Sequence, residues 1–588
     1  MSLFDQTVPQ QEDGFSLPLI VAVTGHRELV SAEIETITRR VRELLLELLA
    51  QFPSRRLTIM SPLAEGADTL VAEVALDLGL DLIVPLPKPQ ETYLQDFRSD
   101  AARAKFAQLS EKASRLFELP TSIPQVPEGI DAQQWVSDYP YGQLGVYLSS
   151  HCHILLALWD GSSSSHLGGT AQVVKFHQDN YMPGITSKTV STQQLLIDDE
   201  NDLVFHLVCS HGKDGIDPNS QFTPLDWFWS SKDEDAPLSK KMPTQHVRIF
   251  EYGSEFSKDA KRLDREIESQ GQGLLGNGSA SEFPPGVEDI DRLFSIADYL
   301  AIHYQKKVIR TLRLSHLFAF LMGLMFLLYS DFSASRSFLV SFVGLFAVAA
   351  LLQFVSQRGT WHRKYLDYRT LAEGLRVQFY WAVAGVKREN QWSFTHDNFL
   401  QAQDPEVGWI RDVMRVSGIG CDASTLRNSK NLDFAIDAWV GNSETGQLGY
   451  YRRVSEERIN RNRLTSQLGL LSLLSSIVIV FAFILFDDTI EDTTATAMML
   501  GMGTLLLLFA VREGYAYATA IKELINQYTF MLKVFENAHR RLQLASDDVE
   551  KRQILFALGQ TALGENADWI LMHRERSVDR SEIWRMGS

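Results

Sequence analysis

The stretch LGLLSLLSSIVIVFAFILF, residues 468–486, runs for 19 residues without a charged side chain. A helix needs roughly 20 apolar residues to cross the hydrocarbon core of a bilayer, so this stretch has the length of a membrane span. Three further uncharged stretches share its character: residues 314–329, 337–355 and 493–511. We therefore predict four transmembrane helices in the second half of the chain. Central helices of a large soluble core are the alternative.

The four predicted spans are paired. The connections, residues 331–336 and 487–492, are so short that each pair of spans should form an antiparallel hairpin. Arginine and lysine cluster before the first and third spans and after the second, whereas the second connection carries four acidic residues and no base. The positive-inside rule then places both termini and every large polar segment in the cytoplasm, with only the tight turns outside.

Composition limits the possible classes of protein. A chain of 588 residues is several times the usual domain of ~100–200 residues, so three or more folding units are expected. A hydrophobic content of 45% excludes wholesale disorder, and a formal net charge of −17 argues against nucleic acid as a partner. Only three cysteines are present and they are far apart, so we predict neither a disulfide framework nor a metal site.

The first third of the chain alternates strands with helices, which is typical of a parallel sheet covered by helices. Strands are predicted at residues 19–24, 57–60, 82–84, 154–159 and 203–208. The predicted fold class is therefore α/β in this part, followed by an α-helical membrane part with two hairpins and long cytoplasmic helices.

Polar, glycine-containing motifs follow several of these strands. Ligands of open parallel sheets bind beyond the carboxyl ends of the strands, so we expect these motifs to form one pocket. Arg27 suits a phosphate or carboxylate, the Thr170 motif suits a phosphate, and Glu65 or Asp68 suits ribose hydroxyls or a base. The alternatives are a simple turn at the Thr170 motif and a helix cap at Asp68. The candidate ligand-binding residues are Gly25, His26, Arg27, Glu65, Gly66, Asp68, Asp160, Gly168, Gly169 and Thr170.

The motifs VTGHR (23–27), PLAEGAD (62–68), LLALWDG (155–161) and GGT (168–170) resemble the SLOG superfamily over residues 18–215. These are Rossmann-like domains related to the LOG nucleotide phosphoribohydrolases. Many of them bind nucleotides or nucleotide-derived second messengers, and their glycine-rich loop holds phosphate. The resemblance implies a nucleotide or nucleotide-derived messenger as the ligand, with no other cofactor.

The sequence departs from the LOG enzymes at one position that matters for catalysis. Those enzymes carry a catalytic glutamate a few residues after their glycine-rich element. Here Thr170 is followed by Ala171, Gln172, Val173, Val174 and Lys175, without a carboxylate. We therefore expect ligand sensing rather than hydrolysis and assign no catalytic residue. The alternative is a membrane-anchored LOG-like phosphoribohydrolase that uses Glu65 or Asp68.

The second half of the chain repeats one plan, in which a basic helix precedes a hairpin and a long helix follows it. This plan resembles a duplicated SLATT domain, with the stretches YRTLAEGLR (368–376) and residues 558–569 carrying the likeness. SLATT domains are two-helix membrane effectors that accompany SLOG sensors in bacterial conflict systems and are proposed to form pores. The resemblance implies a membrane pore or membrane-disrupting effector in antiphage defence, located in the bacterial inner membrane.

One face of the third span carries small and polar residues. Thr465, Gly469, Ser472 and Ser476 fall on this face and are candidates for lining a pore. Close helix packing also prefers small residues, and this alternative stays open. Four helices enclose too little space for a wide pore, so we expect a homo-oligomer in the lipid bilayer.

These observations predict the following organisation. Residues 1–17 form a disordered N-terminus, 18–250 the nucleotide-sensing domain, 251–289 a linker, 290–390 the first SLATT-like unit, 391–450 a cytoplasmic insertion and 451–588 the second SLATT-like unit.

Overall fold

The structure is a computed structural model. It describes residues 14–575 except 121–122, 124–125, 127–130, 165, 180, 183, 187–201, 213–217, 220, 232–237, 277–282, 387–406, 422–426 and 487–489. Four predicted segments thus lie partly outside the described residues. They are the disordered N-terminus, the linker, the cytoplasmic insertion and the turn of the second hairpin.

Up to residue 284, the described part of the chain forms seven strands and eight α-helices. The strands are β1 (Pro18–Gly25), β2 (Arg56–Met60), β3 (Asp81–Leu86), β4 (Arg115–Glu118), β5 (Ile154–Trp159), β6 (Val204–Val208) and β7 (Trp227–Ser230). The helices are α1 (Ile34–Gln51), α2 (Ala67–Asp77), α3 (Gln90–Tyr93), α4 (Asp100–Ser110), α5 (Ala132–Ser150), α6 (Thr170–Asp179), α7 (Thr244–Arg262) and α8 (Asp264–Gln270).

The rest of the described chain is helical. Its helices are α9 (Pro285–Leu327), α10 (Arg336–Arg358), α11 (Trp361–Val383), α12 (Gly408–Ser417), α13 (Ser429–Ala435), α14 (Gly446–Phe486), α15 (Asp492–Ala518), α16 (Ile521–Leu544) and α17 (Asp548–Glu575). Short π-helical turns at Leu328–Phe332 and Ile436–Val440 extend α9 and α13.

The seven strands form one sheet in the order β4-β3-β2-β1-β5-β6-β7. Strands β1 to β6 are parallel, and β7 is antiparallel to β6. Strands β1, β5 and β6 are almost wholly buried, as expected for parallel strands covered on both faces. The chain builds outwards from β1 to one edge and then from β5 to the other, so the strand order reverses between β1 and β5. The predicted parallel sheet is confirmed.

The chain divides into two compact units. The sheet unit comprises Met1–Ile296 and Gly374–Asn428, and the helical unit comprises Ala297–Glu373 and Ser429–Ser588. Helix α12 therefore belongs with the sheet, where it packs against α7. Beyond its end, Ile419 joins the apolar cluster that contains Ile20 and Leu155. Part of the segment predicted as a cytoplasmic insertion thus completes the core of the sheet unit.

The helical unit contains four helices that are long and apolar enough to cross a membrane: α9 with its π turn, α10, α14 and α15. At most 11% of their apolar windows is buried. Large side chains such as Val340, Val478 and Leu485 are 65–71% exposed, whereas the central helices of a soluble core would bury such residues. These four helices thus leave their apolar side chains exposed on the described chain, unlike central helices of a soluble core.

The motif YRTLAEGLR lies on α11 and connects three helices of the helical unit. Arg369 forms ion pairs with Asp298 of α9, at 3.2 Å, and with Glu373 of its own helix. The Thr370 carbonyl accepts from the Asn566 side-chain amide of α17 at 3.0 Å. Asp367, the residue before the motif, is almost fully buried and accepts from Arg574 of the same helix at 2.8 Å. Loss of the arginines that pair with Asp367 would be costly, because it would leave a buried charge unpaired.

Candidate ligand-binding site

The site predicted from the sequence lies where the strand order reverses. Gly25, the last residue of β1, pairs with Leu158 of β5, and the His26 amide donates to the Leu158 carbonyl at 3.1 Å. His26 and Asp160 therefore leave the sheet side by side. In doubly wound sheets, the neighbouring helices diverge at this reversal and leave a crevice in which ligands bind.

Gly66 brings the second motif against the first. Its backbone has φ +90°, and a Cβ atom would lie 2.4 Å from the Arg27 carbonyl oxygen. The next amide, that of Ala67, donates to the His26 carbonyl at 3.1 Å. Only glycine combines this dihedral angle with so close an approach of two backbones. The structure therefore brings these two motifs together.

Arg27 is exposed at this edge of the sheet, and its guanidinium lies 5.2 Å from the ring centre of Tyr141 on α5. Contact with an aromatic face orients a guanidinium, and a hydrogen bond to the Tyr141 side chain holds that of Arg27 further. Lys88, which follows β3, lies 4.8 Å from the same ring and 3.0 Å from Asp96. Tyr141 donates to the same Asp96 carboxylate. Two cations thus flank one tyrosine at the carboxyl edge.

The third motif reaches the same tyrosine. Gly168 has φ +75°, and a Cβ atom there would lie 2.5 Å from the Tyr141 backbone. Thr170 is the first residue of α6, so the positive end of that helix lies at this edge. The Gly169 amide, however, donates to the His166 carbonyl at 3.0 Å and is engaged within the loop. The motif is therefore in the expected place, but this amide is already used.

Asp68 and Glu65 play different roles. Asp68 is the second residue of α2 and does not cap it, because Gly66 holds the N-cap position. Its side chain is buried beside Arg27, and its Oδ1 atom has no hydrogen-bond partner among the described residues. Burial raises the pKa of Asp68 to about 7, although Arg27 and the Ala64 amide oppose the shift. Glu65 accepts from the Arg98 amide at 2.9 Å and so fixes a loop.

Asp160 lies between two histidines. Its amide donates to His26 Nε2 at 3.0 Å, and its Oδ2 atom lies 3.0 Å from His211 Nδ1. Burial would raise the pKa of Asp160, but the Ser162 hydrogen bonds and the two histidines together lower it. The pKa of His26 is lowered, mainly by burial, with Asp160 opposing the shift. This carboxylate is therefore ionised at neutral pH, next to an imidazole that favours its neutral form.

Sequence reasoning missed Lys88, Tyr141 and His211. Lys88 and His211 each follow a strand, β3 and β6, so the strand-end rule used for the other motifs would have found them. Tyr141 lies inside α5, and no linear pattern marks it as part of the edge. Among the predicted residues, the structure brings together Gly25, His26, Arg27, Gly66, Asp68, Asp160 and the Gly168 loop, and it assigns Glu65 to a loop contact.

A cavity of about 960 Å³ lies at the opposite end of the sheet. It borders the amino ends of β1 to β4 and is rich in arginine and lysine. Several of these cations are committed to structural contacts: Arg55 donates to the Leu17 and Pro18 carbonyls, and Arg115 pairs with Asp289 at 2.6 Å. The glycine motifs that permit close backbone approach lie at the carboxyl edge, so we take that edge as the ligand site.

The candidate pore-lining residues lie on α14. Ser472 donates to the Leu505 carbonyl of α15 at 3.2 Å, and Ser476 is close to the Met502 carbonyl at 3.4 Å. A Cβ atom on Gly469 would also contact α15, whereas Thr465 bonds back to its own helix. This placement favours the close-packing alternative for Gly469, Ser472 and Ser476.

Comparisons with family models, with curated proteins and with solved structures gave no match to this chain. The likenesses to SLOG and SLATT domains rest on the motifs quoted above.

Proposed function

We propose that this protein is a sensor of a nucleotide-type ligand that is coupled to a homo-oligomeric effector in the bacterial inner membrane. The ligand would bind at the carboxyl edge of the sheet, and its binding would open a pore or disrupt the bilayer. Both termini would lie in the cytoplasm. The SLOG and SLATT likenesses add the expectation that this activity serves antiphage defence.

The observation that carries the proposal is the meeting of three motifs at the β1–β5 reversal. Gly66 lets α2 start against the backbone of Arg27, and Gly168 lets the α6 loop pack on Tyr141. Arg27 remains exposed between them. An exposed guanidinium on an aromatic ring, beside the amino end of a helix, suits a phosphate group.

Coupling requires an element that belongs to both units. Helices α9 and α11 each contain residues of the sheet unit and of the helical unit, because the unit boundaries fall within them. A ligand shifts the membrane part only if it binds the active conformation more tightly than the resting one. The difference in affinity between the two conformations would arise at the carboxyl edge of the sheet, around Arg27.

The test uses the full chain reconstituted in liposomes of anionic lipid loaded with a fluorescent dye. Small molecules that co-purify with the protein are first identified by mass spectrometry, and those nucleotides are then added to the liposomes. We expect ligand-dependent dye release that Arg27→Ala abolishes. Arg42→Ala removes an arginine that pairs with Asp77 on the surface, and this control should release dye like the unchanged chain.

Absence of any bound nucleotide, together with the absence of leakage, would remove the sensor proposal. The same assay distinguishes a passive membrane scaffold, for which Arg27→Ala would change nothing.

Asp68 supports a second candidate function, a nucleotide phosphoribohydrolase. A buried carboxyl with a pKa raised to about 7 can donate a proton at neutral pH, and this one lies beside Arg27. Incubation of the full chain with nucleoside monophosphates, followed by chromatography for free base, tests this function. Base release that Asp68→Asn abolishes would favour the hydrolase over the sensor.

A further inference from the structure

Three potential metal ligands, His26, Asp160 and His211, lie close together at the carboxyl edge of the sheet. One atom each from His26, Asp160 and His211 lies within 4.8 Å of the others. His26 Nε2 is 3.3 Å from one Asp160 carboxylate oxygen, and His211 Nδ1 is 3.0 Å from the other. The two imidazole rings stack with their centres 4.7 Å apart. These residues follow β1, β5 and β6, three adjacent strands.

Two of the three distances within the cluster are close to those in a metal site. Nitrogen and oxygen ligands bound to tetrahedral zinc at about 2.0–2.2 Å lie roughly 3.3–3.5 Å from one another. The two histidine–carboxylate distances already lie near this range, and a small rotation of the half-buried His211 ring would bring the third pair closer. The carboxylate is 3% exposed, whereas the His211 side chain is 36% exposed and gives access from solvent.

The two histidine nitrogens of the cluster differ in their present partners. The Asp160 amide donates to His26 Nε2, so the neutral ring carries its proton on Nδ1 and directs the Nε2 lone pair towards Asp160. A metal ion would compete with this amide for the same lone pair. His211 Nδ1 is buried and makes no hydrogen bond within the part of the chain that the structure describes. Such a nitrogen beside a carboxylate is costly unless a proton or a cation joins them.

The surrounding residues hold the three ligands in place. The Ser162 amide donates to Asp160 Oδ1 at 3.0 Å. Glu33 accepts from both the amide and the hydroxyl of Ser210, the residue before His211. The Gly212 amide donates to the Glu28 carbonyl at 3.2 Å. Outer contacts of this kind fix ligand orientation in metal sites.

We propose that His26, Asp160 and His211 bind one divalent transition-metal ion of the Zn²⁺ class. Two imidazoles and one carboxylate favour Zn²⁺, Co²⁺ or Fe²⁺ over Mg²⁺ and Ca²⁺, which prefer oxygen ligands alone. Three protein ligands leave a position for water or a ligand oxygen. The site adjoins the Arg27 edge, but the proposal does not depend on a nucleotide ligand.

The test measures metal content directly. The full chain in detergent is stripped of metal with a chelator and then equilibrated with Zn²⁺ or Co²⁺. Free metal is removed on a desalting column, and the bound metal is quantified by inductively coupled plasma mass spectrometry. We expect one equivalent of metal per chain and, with Co²⁺, visible absorption bands typical of low coordination number. His211→Ala should weaken binding by more than the roughly 10–100-fold that loss of an outer contact costs. His211→Cys, which supplies another zinc ligand, should restore it.

The matched control is His166→Ala, because His166 is 64% exposed and lies 3.6 Å from Asp138, away from the cluster. This variant should keep the full equivalent of metal. Thermal unfolding in chelator shows whether His211→Ala folds, and His211→Gln provides a second variant of similar size.

Metal content well below one equivalent in the unchanged chain would overturn the proposal, as would equal binding by a folded His211→Ala or His211→Gln variant. Neither nucleotide nor dye release enters this measurement, so its failure leaves the proposed function untouched.

Discussion

Gly66 illustrates how a single residue determines the candidate site. Its φ is positive, and a Cβ atom on it would lie 2.4 Å from the Arg27 carbonyl oxygen, so no side chain fits unless the backbone moves. We expect Gly66→Ala to lower the free energy of unfolding by at least about 2 kcal/mol more than Gly79→Ala does. Gly79 is the matched control because it also has positive φ, +71°, but has open space around it.

Thermal unfolding of both full-length variants checks this expectation. Equal destabilisation would mean that the cost lies in the dihedral angle alone, and the close approach of the two motifs would lose its support.

Asp68 should make stability depend on pH. Its folded-state pKa is raised from 3.8 to about 7 because the carboxyl is buried. Below pH 3.8 the carboxyl is protonated in both the folded and the unfolded chain. Burial then costs no deprotonation energy, so the free energy of unfolding is highest in this range as far as Asp68 is concerned. As pH rises towards 7, only the unfolded chain releases the proton, so unfolding becomes easier. One pKa unit corresponds to about 1.4 kcal/mol, so the loss should reach a few kcal/mol.

Asp68→Asn should remove this part of the pH dependence. The measurement is the melting temperature of the unchanged chain and the variant at several pH values between 4 and 8. Parallel curves for the two proteins would show that the Asp68 carboxyl is not protonated in the folded state at pH 5 to 6.

The sequence predicted those site residues whose place in the sheet follows from the order and direction of the strands. Arg27, Asp68 and Gly168 could be assigned to one edge because parallel strands all end on the same side of a sheet. His211 belongs to no linear motif, but it follows β6, so the same topology would have placed it near Asp160, which follows the neighbouring strand β5. Tyr141 could not be predicted, because it lies inside α5 and the residue pattern of a helix indicates only which side chains are buried.

At the scale of elements, length and hydrophobicity determined what could be predicted. The central strands are short segments dominated by apolar residues, and the four apolar helices each contain a long uncharged stretch, so the sequence predicted both kinds of element. The edge strands β4 and β7 were not predicted. Each has four residues, and β4 alternates half-buried residues with exposed ones, so its hydrogen bonds to β3 define it more than its composition does.

The small-residue face of α14 leads to a prediction about helix packing. Ser476 is 1% exposed and contacts α15. Ser476→Leu should therefore destabilise the protein by about 1–3 kcal/mol through overpacking. Val478→Leu is the control, since Val478 is 65% exposed and should tolerate the larger side chain.

The readouts are thermal unfolding in detergent and ligand-dependent dye release. If Ser476 instead lines a pore, Ser476→Leu would change the rate of release and leave the melting temperature unaltered.

At the scale of the whole molecule, the orientation in the membrane can be measured. Ala334 is exposed in the turn between the first two apolar helices, and Leu544 is 78% exposed before the turn that joins α16 to α17. In a Cys421→Ser background, with Cys152 and Cys209 buried, Ala334→Cys should react with a membrane-impermeant maleimide on intact bacterial cells. Leu544→Cys should react only after permeabilisation.

Labelling of Leu544→Cys on intact cells would reverse the proposed orientation. Labelling of neither position before permeabilisation would argue that the first hairpin does not reach the outside.

Because α12 belongs to the sheet unit but follows the first hairpin in sequence, the sheet unit cannot complete its core early in synthesis. Ile419 packs with Ile20 and Leu155, and the Arg115 guanidinium donates to the Ile419 carbonyl at 2.7 Å. During synthesis, residue 296 leaves the ribosome well before residues 407–421, and the whole first hairpin emerges in between. At roughly 5–20 residues per second, the nascent sheet would wait about 5–20 s with an apolar face uncovered. The first pair of apolar helices is therefore complete before the core of the sheet unit, so the sheet unit finishes folding only after these helices have been made.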